Sequence, residues 1–164
     1  MRGAVIITSL TIEGGTVVKY ASGASIDVIT SVSCKTAPYR PAIFTAKPDS
    51  TVGAAISGAG APSGYYADTA LILHDANHAL KHLRISHAQQ GISLDDGDVT
   101  LDNCQFTYCR KALVLDYCAG YLNNVLVYSY ASRRAPLHRP LIVIIAMRVV
   151  VFDWLDLRSG LQRI

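Results

Sequence analysis

His74, Asp95 and Asp116 stand 21 residues apart, and Asp96, Asp98 and Asp102 crowd the middle of that series. Carboxylates are the residues of acid/base catalysis on sugars and of calcium binding, and both uses need two of them within a few ångströms. Residues 21 apart meet that condition only if the chain returns to the same place once per interval, one strand spacing of about 4.8 Å further along. Asp95 and Asp116 would then lie about 5 Å apart, close enough to share a proton or to ligate calcium with other oxygens. In water their repulsion at that distance is only about 0.8 kcal/mol, which an exposed corner tolerates. A structural reading stands beside the chemical one: "DDGD", Asp95 to Asp98, suits a tight turn, because Asp bonds its own backbone and Gly accepts positive φ. A basic partner is offered by Lys111, which with Arg110 falls one interval after Gln89 and Gln90, while Lys81 is matched with Asp102. Asp95, Asp116 and Lys111 are thus the candidate set for lyase or hydrolase chemistry, with a solvated polar face as the structural alternative.

The chain does repeat. Leu71, Ile92 and Leu113 form one column, Leu73, Leu94 and Leu115 another, and Leu80, Leu101 and Leu122 a third. Leu83, Cys104 and Val125 align next, followed by Ile85, Phe106 and Val127. Between these positions apolar and polar residues alternate, as in "LRIS" and "ISLD", which is the period of a strand with one buried face. Two or three short strands per unit, stacked in parallel on their equivalents, make an all-β, single-stranded parallel β-helix with coils of about 21 residues. A coil of that length returns the chain to its start without a crossover helix.

Corner positions provide a check on this register. His82, Asn103 and Asn124 share a column, and Asn tolerates left-handed backbone angles while its amide can bond the amide one coil away. The column therefore predicts a structural ladder. Tyrosine outnumbers phenylalanine nine to three, and Tyr65, Tyr66, Tyr108, Tyr117, Tyr121, Tyr128 and Tyr130 follow the middle of the chain. Tyr65, Tyr66, Tyr108 and Tyr128 are the ligand-binding candidates, since a ring with a polar tip suits a sugar or a wetted surface. The four cysteines show no metal-ligand spacing, and Cys104, in an inward column, reads as a buried thiol. No cofactor is indicated by the sequence; calcium at Asp95 and Asp116 is the alternative.

Upstream the period is disturbed. "AIFTA" at Ala42 to Ala46 resembles "ALILH" at Ala70 to His74, which would match Ile43 with Leu71 and Thr45 with Leu73. Between them, from Lys47 to about Tyr66, a Gly, Ala, Ser and Pro-rich stretch predicts a long loop leaving one corner. Loops of this kind often mark the binding face of a solenoid. "LTIEGGTVVKYASGASIDV" predicts strand, Gly-Gly turn, strand, Ser-Gly turn and strand, the alternation expected of a first coil. Residues 1–132 form the expected β-helix. The remainder, 133–164, changes composition: six of the ten arginines lie there and Gly occurs only at Gly160. It is expected to be either a cap or the unreliable end of a fragment, and Ile and Val standing where a cap should offer charge favour the latter. Its apolar run is too short to span about 30 Å of hydrocarbon. A net charge of +3, scattered, argues against nucleic acid, and no export signal is visible at the start.

"GTVVKYASGAS", "PAIFTA" and then "LKHLRISHAQQGI" resemble the right-handed parallel β-helix repeats of large bacterial secreted and cell-surface proteins, over roughly residues 10–129. The resemblance implies an extracellular, non-catalytic structural or adhesive segment, beside adjoining domains of a longer parent chain, with polysaccharide or surface protein as partner. It transfers no catalytic motif. The alternative is a fragment of a polysaccharide lyase or glycoside hydrolase of the pectin-lyase-like class, using the carboxylate pair.

Overall fold

The computed structural model describes residues 3–56, 60–129, 141–145 and 149–152. The first coil contains β1 (Ala4–Glu13) and β2 (Val17–Tyr20), and the second β3 (Ala24–Lys35) and β4 (Ala42–Ala46). The third divides into β5 (Ala67–His74), β6 (His78–Lys81) and β7 (Leu83–Ser86). The fourth and fifth each run one long strand through a bend before a short one: β8 (Ala88–Asp102) with β9 (Gln105–Thr107), then β10 (Lys111–Asn123) with β11 (Val125–Ser129). One sheet has the order β1-β3-β5-β8-β10, with β6 on the second half of β8; the other runs β2-β4-β7-β9-β11. All of these neighbours pair in parallel, so the fold is an all-β parallel β-solenoid with coils of about 21 residues. Among the described residues no helix is long and apolar enough to cross a membrane.

The register is that of the hydrophobic columns. Leu71, Ile92 and Leu113 pair in turn, as do Leu73, Leu94 and Leu115, and Leu80, Leu101 and Leu122. Ile85, Phe106 and Val127 do the same in the second sheet. Leu71, Leu73, Leu80, Ile92, Leu94 and Leu101 are wholly buried. Each such side chain contributes about 1.5–3 kcal/mol on leaving water, so alternation alone pins the walls against a one-residue slip.

Three corners separate the walls, and each is marked by left-handed backbone. Asp75, Asp96 and Tyr117 occupy the first (φ 42°, 64° and 54°), His82, Asn103 and Asn124 the second (49°, 53° and 50°), and His87 and Tyr108 the third (57° and 55°). This conformation costs a side-chain-bearing residue about 1–2 kcal/mol. The cost is offset by stacking: the His82 N–H donates to the Asp102 carbonyl at 2.9 Å, and the Asn103 N–H to Asn123 at 3.0 Å. At the first corner Gly97 follows Asp96 with φ 94°, and a Cβ there would meet the Ala76 carbonyl oxygen at 2.6 Å. The "DDGD" turn thus requires its glycine twice over.

One expected alignment is wrong. Leu71 and Leu73 pair with Ile26 and Val28 of β3, whereas Ile43 pairs with Val17 and Arg84 in the other sheet. A turn at 36–41 and the loop at 47–66 lengthen the second coil beyond one period, and the alternation in "AIFTA" suits either wall equally. The loop itself leaves after β4 and rejoins at β5. In the C-terminal part, β12 (Leu141–Ile145) and β13 (Val149–Phe152) pair antiparallel with β11 and β10, so these edges of the fifth coil are hydrogen-bonded. The other residues of 130–164, Tyr130 included, lie outside the described residues, as does the choice between cap and unreliable end for them.

Candidate functional site

The third corner gathers aromatic side chains because its column, half-buried at Tyr66 and His87 and exposed at Tyr108, recurs once per coil. The Tyr66 N–H donates to the His87 carbonyl at 2.7 Å, His87 to Thr107 at 3.2 Å, and Tyr108 to Tyr128 at 2.8 Å. These bonds fix the backbones one coil apart, and the rings follow. The His87 and Tyr108 rings stack with centroids 5.1 Å apart and planes inclined by 12°, and Tyr128 meets Tyr108 edge-on at 5.4 Å. Offset-stacked and edge-on contacts are the arrangements that the ring quadrupole favours. Tyr108 keeps 44% of its surface exposed and Tyr65 38%. Tyr66 differs, because its half-buried ring packs against the core and part of its face is already used by the fold. Tyr117, 76% exposed, stands at another corner.

The long loop ends against this column: His87 Nδ1 lies 3.2 Å from the Gly64 carbonyl oxygen. Its beginning is tied down as firmly. The Lys19 ammonium donates to the carbonyls of Asp49 and Ala54, at 2.5 and 2.7 Å. The Asp49 carboxylate accepts from the Thr45 hydroxyl at 2.7 Å, and from the Thr51 hydroxyl and N–H at 2.6 and 2.9 Å. Burial pushes this carboxyl up, but the hydrogen bonds from Thr51 and Thr45, with His87 nearby, outweigh it and hold the group below its ordinary range.

The acidic series has a different character. Asp95 pairs with Asp116 and His74 with Asp95 along the ladder, so the expected column exists. His74, however, turns to the preceding coil, where its Nε2 meets Asp27 Oδ1 at 2.8 Å. Three nearby carboxylates serve the backbone and the corner amides. Asp96 accepts from the Gly97 N–H and Asp98 from the Ala119 N–H, while Asp102 takes Asn103 Nδ2 and Asn123 Nδ2 at 2.8 Å each. Asp95 and Asp116 are exposed, and neither carboxylate has a hydrogen-bond partner among the described residues. Lys111 pairs with Gln90 at the start of β10, five residues before Asp116, or roughly 16 Å along an extended strand. Lys111 is therefore separated from the carboxylate pair along its own strand. Among the described residues no three His, Cys, Asp or Glu side chains converge to hold a metal. A calcium ion on Asp95 and Asp116 would take most of its six to eight oxygens from water.

The second corner carries the amide ladder. Asn124 Nδ2 donates to Asn103 Oδ1 at 2.5 Å, whereas His82 shares the corner's φ without a side-chain hydrogen bond to either amide. Cysteines follow three corner residues: Cys104 after Asn103, Cys109 after Tyr108 and Cys118 after Tyr117. Each thiol sits near two carbonyls in the same relation, two residues before it and 24 before it: Asp102 and Leu80, Thr107 and Ile85, Asp116 and Leu94. None of the four cysteines is in a disulfide. Burial raises the Cys104 thiol to about 12 and Cys109 to about 11, the pattern of packing residues rather than of nucleophiles.

His87 was hidden in the sequence between two tyrosines, yet Tyr66, His87 and Tyr108 keep the 21-residue interval and the period marks it. Asp27 as the partner of His74 carried no such signal, because the disturbed second coil separates them. No protein-family model matches the chain, and comparison with curated proteins and with solved structures returned no match.

Proposed function

We propose that this chain is a non-catalytic binding segment of a secreted or cell-surface bacterial protein, a right-handed parallel β-helix that contacts glycans through its third corner. The observation that carries the reading is the stack of His87, Tyr108 and Tyr128, in which Tyr108 is exposed and the other two are half-buried, with the end of the long loop set against it. Rings held one strand spacing apart by backbone hydrogen bonds are organised before any ligand arrives, so little side-chain entropy is lost on binding. Such a strip presents the exposed part of the Tyr108 ring to a sugar and hydroxyl tips to its oxygens. The repeat resemblance supports the same role and the extracellular setting.

A glycan panel read by calorimetry tests it. Tyr108→Ala should weaken a bound glycan about three- to tenfold, as expected for loss of one ring contact, while Tyr117→Ala at the first corner should not. Equal losses in both variants, or no glycan bound by the parent, would remove the reading.

A second reading, cleavage of acidic polysaccharide, is favoured by one observation only: Asp95 and Asp116 are neighbours on the ladder with no hydrogen bond committing either carboxylate among the described residues. It predicts release of unsaturated or reducing ends from acidic glycans. Asp116→Asn should then abolish turnover and leave the circular dichroism of the strands intact; unchanged turnover excludes the role.

A further inference from the structure

β1 is the outermost strand of its sheet, and among the described residues it pairs with β3 alone. Its sequence, AVIITSLTIE, contains no Lys, Arg or Pro, the residues with which exposed sheet edges discourage pairing. Two apolar side chains stand open beside each other there, Val5 at 57% and Ile6 at 67% exposure. Val5 extends the inward column of Ile26 and Leu71, and Ile7 extends that of Val28 and Leu73. Beyond a bend between Ile7 and Ser9, where the register against β3 shifts, Leu10 and Ile12 take the inward positions opposite Val32 and Cys34. The other end of the stack is different: there β10 and β11 are already paired antiparallel by β13 and β12.

The open edge is complementary to itself. Laid antiparallel on its own copy about a point between Thr8 and Ser9, the strand sets Val5 opposite Ile12, Ile6 opposite Thr11, and Ile7 opposite Leu10. Inward residues then meet inward residues, and a shift of one position would destroy that match. Backbone direction obeys the same symmetry. The Gly3 carbonyl accepts from the Ser25 N–H at 3.1 Å and the Gly14 N–H donates to Lys35 at 3.2 Å, so both face β3. Successive residues alternate sides, so Ala4 and Ile6 before the bend, and Thr11 and Glu13 after it, aim their N–H and C=O away from β3. The two-fold arrangement sets Ala4 against Glu13 and Ile6 against Thr11, which are pairs of residues that both offer donor and acceptor across the gap. That is the requirement for the hydrogen-bonded pairs of an antiparallel ladder, and Val5 with Ile12 and Ile7 with Leu10 become the close pairs between them. Charge fits as well: Glu13, the ionisable side chain of β1, is paired with Lys35 at 3.2 Å and meets Ala4 rather than another carboxylate.

We propose that β1 is a self-association edge, through which two copies of this chain pair head to head about a two-fold axis between Thr8 and Ser9. Each inward column then runs on into the partner, and the two coil stacks share one core. The contact uses the same surface on both copies and so closes at two. A head-to-tail stack would set the ten residues of β1 against the outer edge of β12 and β13, which are only five and four residues long, and would grow as a filament. The bend favours the closed form, because the axis passes through it and lays the bent strand on an equally bent copy. Dilute chain keeps β1 as a free edge, and the pairing appears as concentration rises. This association does not depend on glycan contact at the third corner, and either can fail without the other.

The test is sedimentation velocity of the whole chain over a concentration series from about 1 to about 100 μM, where the mass should rise from one copy to two and stop. Ile6→Pro removes an N–H that faces the open edge, a place where proline is tolerated, and should weaken association at least tenfold while the strand circular dichroism persists. Tyr39→Lys, which removes a 98% exposed ring away from β1, should leave association unchanged. Ser9→Cys, beside the axis, should give a covalent dimer under mild oxidation; Ser31→Cys, its neighbour on β3, should not. Amide exchange in β1 should slow at the dimeric concentration while that of β8 holds. A chain that stays monomeric throughout the series, or that grows past two copies, overturns the proposal. So do equal losses in Ile6→Pro and Tyr39→Lys, which would mark unspecific association, and a dimer that Ser9→Cys fails to cross-link.

Discussion

A left-handed residue at each corner is the unit from which this molecule is assembled, and its chemistry changes from corner to corner. At the second corner the residue is an amide that bonds its copy one coil away; at the third it is a ring that stacks on its copy. Both devices offset the conformational cost locally. The residue after the corner turns inward, and cysteine suits that place because a small thiol fits beside two carbonyls that a larger apolar side chain would crowd. Cys104 and Cys109 are raised from an ordinary 9.0 to about 12 and about 11, chiefly by burial. At pH 8 both should resist a disulfide labelling reagent in the folded protein and react at once in denaturant, as followed by thiol release. Because the folded values lie above the unfolded ones, the neutral thiols contribute stability in full below pH 9. That contribution declines as pH rises through about 11 and 12. Denaturant midpoints measured from pH 7 to 11 should fall above pH 9, and Cys104→Ala should flatten the fall.

At the scale of strands, what decides the packing is which residue a coil sets above each inward position. Gly91 lies in β8 between Ala70 and Ala112 of neighbouring coils, a column of small residues. A Cβ on Gly91 would stand 2.5 Å from the Ala112 carbonyl oxygen and 2.7 Å from the Phe106 ring. Neither can yield without moving a strand or one of the large buried rings of the second sheet's inner face, so Gly91→Ala should cost about 1–3 kcal/mol in denaturant titration. A loss below about half a kcal/mol would mean that the coils slide more freely than their register suggests. The same column logic explains which elements could be read from the amino-acid order. From Leu71 onward every coil keeps one length, so Leu71, Ile92 and Leu113 announce their pairing by position alone. In the second coil two insertions remove that guide, and Ile43 was matched to a strand on the wrong wall. The hollow that Pro38 and Pro41 line together with His82 and Arg84 was illegible for the same reason: it exists only after the chain has closed a coil. The carboxylate column could be placed, but the sequence did not reveal that Asp27 would claim His74 or that Asn123 would satisfy Asp102. Those pairings depend on side-chain direction at a bend.

The molecule as a whole is a stack in which most of a coil's partners are the coils directly before and after it, and its stability should therefore vary along the axis. β8 has a full set of neighbours on both sides, β5 and β6 before it and β10 after it. Among the described residues β1 pairs only with β3, and its Val5 and Ile6 are 57% and 67% exposed. Opening β1 breaks one ladder and uncovers little new apolar surface; opening β8 breaks ladders on both faces and uncovers Ile92, Leu94, Val99 and Leu101 together. The free energy of local opening should accordingly be lowest at β1 and approach the global value at β8. Peptide-resolved hydrogen exchange under native conditions should show β1 amides exchanging at least tenfold faster than those of β8, with β3 and β5 between them. Glycan bound at the third corner should slow exchange in β7 and β9, whose corners carry the rings, and leave β1 unchanged. Uniform exchange from β1 to β10 would instead mean that the whole stack unfolds as one unit, and the hierarchy argued from its edges would have to be given up.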